Sequence, residues 1–366
     1  MLSFYLIWSL SYLTLLWWMS RFWVKEQNTS IAQSFRLNVT LLIPFRNEKE
    51  NIPSLILNLK KLRYPQLEIL LVDDHSEDGS LQLLKEGLGE LWYVKILESP
   101  AFGKKKAVEY GVKMASGEII LCSDADCFFP ELWIERMVSP FQDTKIHLVA
   151  AAVMVEDKGR FLDIFQSLDW AGILLITSYS FSKNKPLMCS GANLAYRKEA
   201  FEKVCGYEGN HEFASGDDEF LLKKIHKFYG QGATGYLSSS ESLVKTNPEL
   251  TWRDLINQRI RWAGKWKAHF SLSHAISALG AFIVQLIWIG SFSLIFLGGK
   301  GILTFGVVWL LKGVAEKISL GGILEVLGCK QNNISILKTS LVHPFYVLWV
   351  GIRTLDGKFT WKGREN

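Results

Sequence analysis

Glu118-Ile-Ile-Leu-Cys-Ser-Asp-Ala-Asp-Cys127 is an apolar run that ends in two carboxylates one residue apart. Bounded by Gly117 and the acidic pair, it reads as a buried strand, and open α/β sheets place their ligand crevices at the carboxyl ends of such strands. Asp124 and Asp126 are therefore predicted to stand at a crevice. Alternation along an extended segment points both side chains the same way, so together they can hold one hard divalent cation, which prefers oxygen ligands and shared phosphates. A lone Asp-x-Asp is more often a helix cap or a solvated turn, so the meaning of this one depends on the rest of the chain.

Composition narrows the classes. The chain has 41 Lys and Arg against 36 Asp and Glu, a net charge of +5, too mild to argue for nucleic acid as a partner. Among 366 residues, 49% are hydrophobic and 14 are Trp, more than a soluble enzyme needs, so part of the chain is predicted to lie in a membrane. The five cysteines are an odd number in no metal-like spacing and read as reduced thiols of a cytoplasmic domain.

In chain order, Leu2 to Met19 carries no charge and is followed by Arg21 and Lys25. At about 1.5 Å per residue such a helix nearly spans a hydrocarbon layer of roughly 30 Å. With Trp17, Trp18 and Trp23 as an interfacial belt and no cleavage site, it reads as an uncleaved anchor over residues 1–24 whose following domain stays cytoplasmic. Leu37 to Ile43 is strand-like and ends at Pro44, Glu48 to Leu62 has helical spacing, and Glu68 to Val72 is a strand ending in Asp73 and Asp74. Lys104 to Ala115 reads as a helix leading into the strand before Asp124. This alternation predicts a mainly parallel sheet with helices on both faces. Two strands finish in paired carboxylates, which repel unless cations or donors stand between them.

His147 to Val155 is predicted as a strand. The charges Asp163 and Asp169 and the i, i+3, i+4 pattern favour a buried or interfacial helix over a membrane span for Phe161 to Phe181. Cys189 to Arg197 reads as a turn into a strand, and Asp217 opens a helix that it could cap. Thr251 to Lys267, dense in Trp and Arg, reads as a basic interfacial helix. Ala275 to Leu297 is predicted to cross the membrane. Gly301 to Leu311, interrupted by Lys312, Glu316 and Lys317, and Ile334 to Ile352, broken by Lys338 and His343-Pro344, are further apolar segments. A basic tail follows, over residues 353–366, and places one of the three C-terminal segments in the interface or makes it re-entrant.

Six elements in order carry a resemblance. They are Ile43-Pro-Phe-Arg-Asn-Glu48, Leu71-Val-Asp-Asp-His-Ser-Glu-Asp-Gly79, Gly103-Lys-Lys-Lys-Ala107, Ser123-Asp-Ala-Asp126, Gly216-Asp-Asp-Glu219 and Gln258-Arg-Ile-Arg-Trp262. Together they resemble the family 2 inverting glycosyltransferases, in particular the membrane-bound branch of cellulose, chitin, hyaluronan and poly-N-acetylglucosamine synthases. The tail from Gly357 to Arg364 also resembles the end of bacterial members.

The resemblance implies an α/β fold of the GT-A type, a Rossmann-like nucleotide-diphospho-sugar transferase domain over residues 36–270. One N-terminal helix and two or three C-terminal membrane helices, within 274–352, would flank it. It implies a UDP-sugar donor and a divalent metal, Mg²⁺ or Mn²⁺. Arg46 and Glu48 match the loop beside the nucleotide, Asp74 the carboxylate that reads uracil, and Lys104 the basic position near the diphosphate. Asp124 and Asp126 match the donor and metal pair, Asp217 the catalytic base, and Gln258, Arg261 and Trp262 the motif at the donor and acceptor junction. The family has Glu before the base where this chain has Gly216, which leaves Asp218 as the alternative base after a shift of one residue.

The chemistry accounts for such parts. A carboxylate must take the proton of an acceptor hydroxyl as it attacks the anomeric carbon, and cations must hold the charge that gathers on the leaving diphosphate. One displacement inverts the anomeric centre and gives a β linkage. The acceptor implied is a growing polysaccharide, in envelope or exopolysaccharide synthesis at the cell inner membrane, or a polyprenyl-phosphate lipid glycosylated once. A translocation channel needs more helices than this chain offers, which a homo-oligomer or an export partner would supply. A non-catalytic nucleotide-sugar-binding scaffold would lack the metal pair or the base, and both are in the sequence.

Overall fold

The computed structural model describes residues 1–23, 37–89, 91–211, 216–263, 272–329, 332–356, 360–361 and 364–365. The C-terminal end of the Thr251–Lys267 segment, with Trp266, and most of the tail from residue 357 lie outside the described residues. The chain divides into two compact units. One comprises residues 24–155 and 180–247 and is built on sheets; the other comprises residues 1–23, 156–179 and 248–366 and is helical.

In the sheet unit, strands β1 (Val39–Phe45), β2 (Leu67–Asp73), β3 (Val94–Glu98) and β4 (Ile119–Cys122) are parallel neighbours in the order β3-β2-β1-β4. Helices α2 (Ile52–Lys61), α3 (Ser80–Leu88) and α4 (Lys104–Met114) connect them. Every residue of β1 is buried, the continuous apolar pattern of a parallel strand covered on both faces. The main sheet is mainly parallel, as expected, with one reversed strand in its far half. β8 (Leu194–Arg197) lies antiparallel to β4 and to β6 (Leu148–Ala151), and β9 (Thr234–Leu237) pairs parallel with β6.

Two local departures have clear causes. Pro44 does not end the first strand but lies inside it, opposite Val72. β1 pairs with β4 only as far as Leu42, so on that side the proline interrupts no ladder. The segment His147 to Val155 is two strands, β6 and β7 (Val153–Val155), divided at Ala152. Ala152 donates its N–H to Leu237 O of β9 at 3.2 Å and accepts from Val244 N of β10 (Val244–Thr246) at 3.2 Å. The chain thus passes from the main sheet into a small one of order β5-β10-β7, in which β5 is Cys127–Phe128.

Close packing sets the parallel half. A Cβ on Gly111 of α4 would meet Leu42 Cδ1 at 2.3 Å, and one on Gly117 would meet the Thr40 backbone nitrogen at 2.4 Å. Beneath these contacts, buried Thr40 donates to Glu68 Oε2 at 2.7 Å and accepts from Gly117 N at 2.9 Å. Glu68 also accepts from Ser116 N and from Lys95 Nζ, both at 2.8 Å, so one carboxylate ties β1, β2, β3 and the turn into β4. Burial works against its charge, but Lys95, the Ser116 N–H and Thr40 outweigh it and hold the Glu68 carboxyl down at about 2.

In the helical unit, α1 (Leu2–Ser20), α6 (Phe161–Ser182, whose last residues belong to the sheet unit), α10 (Leu272–Gly290), α11 (Gly298–Glu316) and α13 (Asn333–Asp356) are the long helices. α5 (Trp133–Val138), α7 (Lys198–Lys203) and α8 (Asp217–Tyr229) precede α9 (Trp252–Ala263), and α12 (Gly322–Val326) follows α11. Four segments, 2–20, 161–182, 279–326 and 333–354, are long and apolar enough to cross a membrane. Lys312 and Glu316 do not interrupt the third: Lys312 Nζ lies 2.5 Å from Glu316 Oε1 and donates to Ser340 O at 2.9 Å, and Tyr12 Oη of α1 donates to Glu316 Oε1 at 3.1 Å. Charge that is paired within the bundle is compatible with an apolar surround. Pro344 likewise lies inside α13.

Two outcomes test this account. Gly117→Ala should destabilise the protein by about 1–3 kcal/mol, read as a lower melting temperature, because the clash is with backbone and cannot relax by a rotamer change. For Glu68 the carboxyl pKa is depressed from 4.5 to about 2, so its stabilisation is complete above pH 4.5 and is lost as the pH falls toward 2. Glu68→Gln should lower the melting temperature at pH 7, and the gap from the unsubstituted protein should close across that acid window.

Candidate active site

The order β3-β2-β1-β4 reverses chain direction across the sheet between β1 and β4, the switch point where open α/β sheets form their crevice. β1 runs on past the end of β4, and successive strand ends deliver Arg46, Asp74, Lys104 and Asp124 to this edge. The two loops that follow β1 and β2 are laced together. Asn47 N donates to Ser76 Oγ at 3.0 Å, Glu77 N to Asn47 Oδ1 at 2.9 Å, Glu48 N to Ser80 Oγ at 2.8 Å and Lys49 N to Asp78 Oδ2 at 2.9 Å. Burial opposes ionisation of Asp78, but the bonds from Ser80 and Lys49 prevail and lower its pKa. Within the loop, Glu48 Oε2 accepts from Asn51 Nδ2 at 2.8 Å.

The paired carboxylates after β2 are held by donors. Asp73 accepts from Ser76 N at 3.1 Å. Asp74, 2% exposed, accepts from Gly103 N at 2.6 Å, and its carbonyl accepts from Arg46 Nη1 at 3.0 Å. His75 lies 3.6 Å from the same Asp74 oxygen and stacks on Phe102 with ring centroids 3.8 Å apart. Asp74 thus binds the loop that starts α4 to the end of β2.

Asp124 and Asp126 do not continue an extended strand. β4 stops at Cys122 and the tripeptide turns, so its two carboxylates meet different partners. Lys104 Nζ donates to Asp124 Oδ1 at 2.6 Å, whereas Asp126 Oδ2 accepts from Thr246 Oγ1 of β10 at 2.9 Å. The β5–β10 pairing brings Thr246 opposite Cys127 and so beside Asp126. Buried Cys122 and Cys127 flank the turn as free thiols. Burial pushes the Cys122 thiol up to about 12, and burial with the Asp126 charge raises that of Cys127.

Lys104 also faces the acidic start of α8. It lines a narrow crevice with Pro44, Ser123, Gly191, Tyr207, Asp217 and Asp218. Burial alone would lower the lysine's pKa, but Asp124, Asp217 and Asp218 raise it well above the ordinary value, so the ammonium is permanently charged. The two aspartates of α8 differ in their engagement. Asp218 Oδ2 accepts from Gly191 N at 3.0 Å and its Oδ1 from Glu219 N at 2.8 Å. The Asp217 carboxylate accepts no hydrogen bond among the described residues. Gly216, at φ +91°, enters the helix in the left-handed region, a conformation that costs a residue with a Cβ roughly 1–2 kcal/mol. The Gly that departs from the family's Glu therefore suits its backbone.

Among the described residues no group of three or more His, Cys, Asp or Glu side chains stands close enough to hold an ion. The donor set nevertheless fits a hard cation that brings phosphate ligands of its own, for which one or two carboxylates suffice. Asp124 and Asp126 are the carboxylates at this turn that could serve such an ion.

Gln258, Arg261 and Trp262 lie on α9, in the helical unit. Asn193, in the turn before β8, is fully buried: its Nδ2 donates to Ala152 O and Ser242 O, both at 2.8 Å, and its Oδ1 accepts from Trp133 Nε1 at 3.0 Å. Ser76, Ser80, Asn193 and Thr246 escaped the reading of the sequence because such polar residues carry no charge signal, and only strand pairing and loop contacts reveal what they hold.

Comparison with known proteins fits this geometry. The poly-β-1,6-N-acetyl-D-glucosamine synthase of Staphylococcus aureus is 27% identical over 233 residues, 62% of this chain and 53% of its own length. The chain therefore spans about half the length of that curated relative. The glycosyltransferase AglE of Haloferax volcanii is 26% identical over 256 residues, 69% of this chain and 79% of its own. Among solved structures, a mannosyltransferase from Pyrobaculum calidifontis, in complex with GDP-mannose and Mn²⁺, superimposes with a TM-score of 0.59 at 18% identity, covering 97% of each chain. The mixed α/β architecture is thus a GT-A fold. Residues 40–205 match the family described as glycosyl transferase family 2.

Proposed function

We propose that the chain transfers a sugar from a UDP-sugar to a polysaccharide or lipid-linked acceptor at a membrane, inverting the anomeric centre, with a divalent cation as cofactor. The observation that carries this reading is the meeting of Lys104, Asp124, Asp217 and Asp218 at the carboxyl edge of a domain that matches glycosyl transferase family 2.

In this reading Asp217 is the base. As the acceptor oxygen forms its bond to the anomeric carbon, the Asp217 carboxylate takes the hydroxyl proton and the bond from that carbon to the diphosphate breaks. Asp218, occupied by the Gly191 N–H, holds the loop before β8 to the start of α8, which supports Asp217 over its neighbour. Lys104 is placed to exchange Asp124 for the diphosphate and meet its growing charge. Arg46 and Glu48 border the nucleotide and Asp74 shapes the base subsite. Asp126, with Asp124, would hold Mg²⁺ or Mn²⁺, which when bound supplies further positive charge to the leaving group. Gln258, Arg261 and Trp262 serve the junction of donor and acceptor. The apolar helices support residence in a membrane, and the reading takes this to be the cell inner membrane with the catalytic domain cytoplasmic.

Addition of a single sugar to a lipid is a second reading.

The test is nucleotide release by the purified chain in nanodiscs with UDP-glucose, UDP-N-acetylglucosamine or GDP-mannose, with membrane lipid extract as acceptor source. Asp217→Asn should cut release by about 100-fold or more, the scale of a lost general base, and Asp218→Asn should cut it less. Equal loss in the two variants would remove the assignment. Chelation by EDTA should abolish release and Mn²⁺ or Mg²⁺ restore it; unchanged release in EDTA would exclude the cation. Chromatography of the product then separates a polymer from a lipid bearing one sugar.

A further inference from the structure

The motif residues on α9 are held by a chain of polar contacts that reaches into two of the long apolar helices of the same unit. Its hub is Arg259, 7% exposed, which lies between the motif residues Gln258 and Trp262 in sequence order. Its Nε donates to Asp169 Oδ2 of α6 at 2.9 Å, and its Nη2 lies 2.8 Å from the same oxygen. Its Nη1 donates to Gln258 Oε1. Its guanidinium lies over the Trp262 ring, 4.1 Å from the centroid, and more distantly over Trp170, at 5.6 Å. The other oxygen of Asp169 is 3.1 Å from His343 Nε2 of α13.

Gln258 is fixed from its second end as well. Its Nε2 donates to Glu249 Oε1 at 2.6 Å, and Glu249 is held by Gln166 of α6, whose Oε1 accepts from Glu249 N at 2.9 Å and whose Nε2 donates to Glu249 O at 3.1 Å. Gln166 and Asp169 are three residues apart, so one face of α6 carries both supports. A carboxylate buried in an apolar helix costs free energy unless it is paired, and an arginine fork and an imidazole N–H together satisfy it. The cost of burying this group in α6 is then offset by contacts that do nothing for α6 itself and orient the neighbouring helix.

We propose that Asp169 and His343 are positioning residues for sugar transfer: through Arg259 they set the orientation of Gln258 and Trp262. The proposal rests on the transferase reading for the purpose of the clamp, while the clamp itself can be observed without turnover. Asp169 supplies the charge that orients the guanidinium, and His343 fixes the carboxylate by occupying the oxygen Arg259 does not use. Arg259 in turn holds the Gln258 amide and stands over the Trp262 indole, 4.1 Å from its centroid, which leaves that ring few alternative rotamers.

The experiment uses the full chain in nanodiscs, labelled with 5-fluorotryptophan, with the Trp262 fluorine resonance assigned by its loss in Trp262→Phe. Asp169→Asn and His343→Leu should shift or broaden that resonance, and His343→Gln, whose side-chain amide can still donate near the Nε2 position, should restore it. With the nucleotide sugar that supports release, kcat should fall about tenfold or more in the first two variants while the donor KM stays within about twofold, as expected for misplaced groups and not for lost ground-state binding. A Trp262 resonance unmoved by both substitutions would overturn the clamp. A moved resonance with unchanged kcat would overturn the positioning role. Absence of turnover in the unsubstituted protein would count against the transferase reading, and the fluorine resonance would still decide the clamp.

Discussion

Carboxylates crowd the carboxyl edge of the main sheet, and the ammonium of Lys104 is set among them. Its bond to Asp124 and its field from Asp217 and Asp218 draw together groups that lie far apart in the chain, one after β4 and two at the start of α8. Like charges so close would push the crevice open, and a permanently charged lysine at the first position of α4 offsets that repulsion. The position is also the one where a helix N-terminus favours anions, so the lysine and the backbone of α4 act in the same sense. The arrangement makes the resting protein an ion-paired one, in which any anionic ligand must compete for a cation already in use.

The other end of the same strands solves a different problem. At Thr40 and Glu68 a carboxylate with three donors around it fixes the register of three parallel strands and the entry to the fourth. The helical unit repeats the device twice in apolar surroundings. Lys312 pairs with Glu316, and Asp169 pairs with Arg259 and His343. In each case a charge is affordable because its partner comes from within reach on the same or a neighbouring helix. The first pair joins α11 to α1 and α13, and the second ties α9 to α6 and α13.

Much of the sheet was legible because hydrophobic run length and the position of acidic residues are local signals. The strand before Asp124, the helix from Lys104 and the acidic opening at Asp217 all followed from a few neighbouring residues. What was not legible depends on pairing. Pro44 looked like a terminus because sequence does not say that β4 ends first. The segment around Ala152 looked like one strand because its apolar pattern is unbroken where the chain changes sheets. The Asp-x-Asp pair looked aligned because extended backbone was assumed, and the turn sends its two carboxylates to Lys104 and Thr246. Lys312 and Glu316 looked like interruptions because an i, i+4 pair advertises its charge in sequence and its neutralisation only in space. Arg259 passed as one of several basic residues, since nothing local distinguishes the arginine that binds inward.

The backbone of Ala152 gives the two sheets a shared hinge point with no freedom of its own. Both its polar groups are spent, the N–H on β9 and the carbonyl on β10, and the carbonyl also accepts from Asn193. Strand β10 ends at Thr246, which holds Asp126. A displacement at Asp126 is therefore carried like load along a stiff truss, through β10 and Ala152, into β9 at one edge of the main sheet. The compliance of the Asp126 carboxylate is therefore set in part by Ala152 and Asn193, residues that do not touch it.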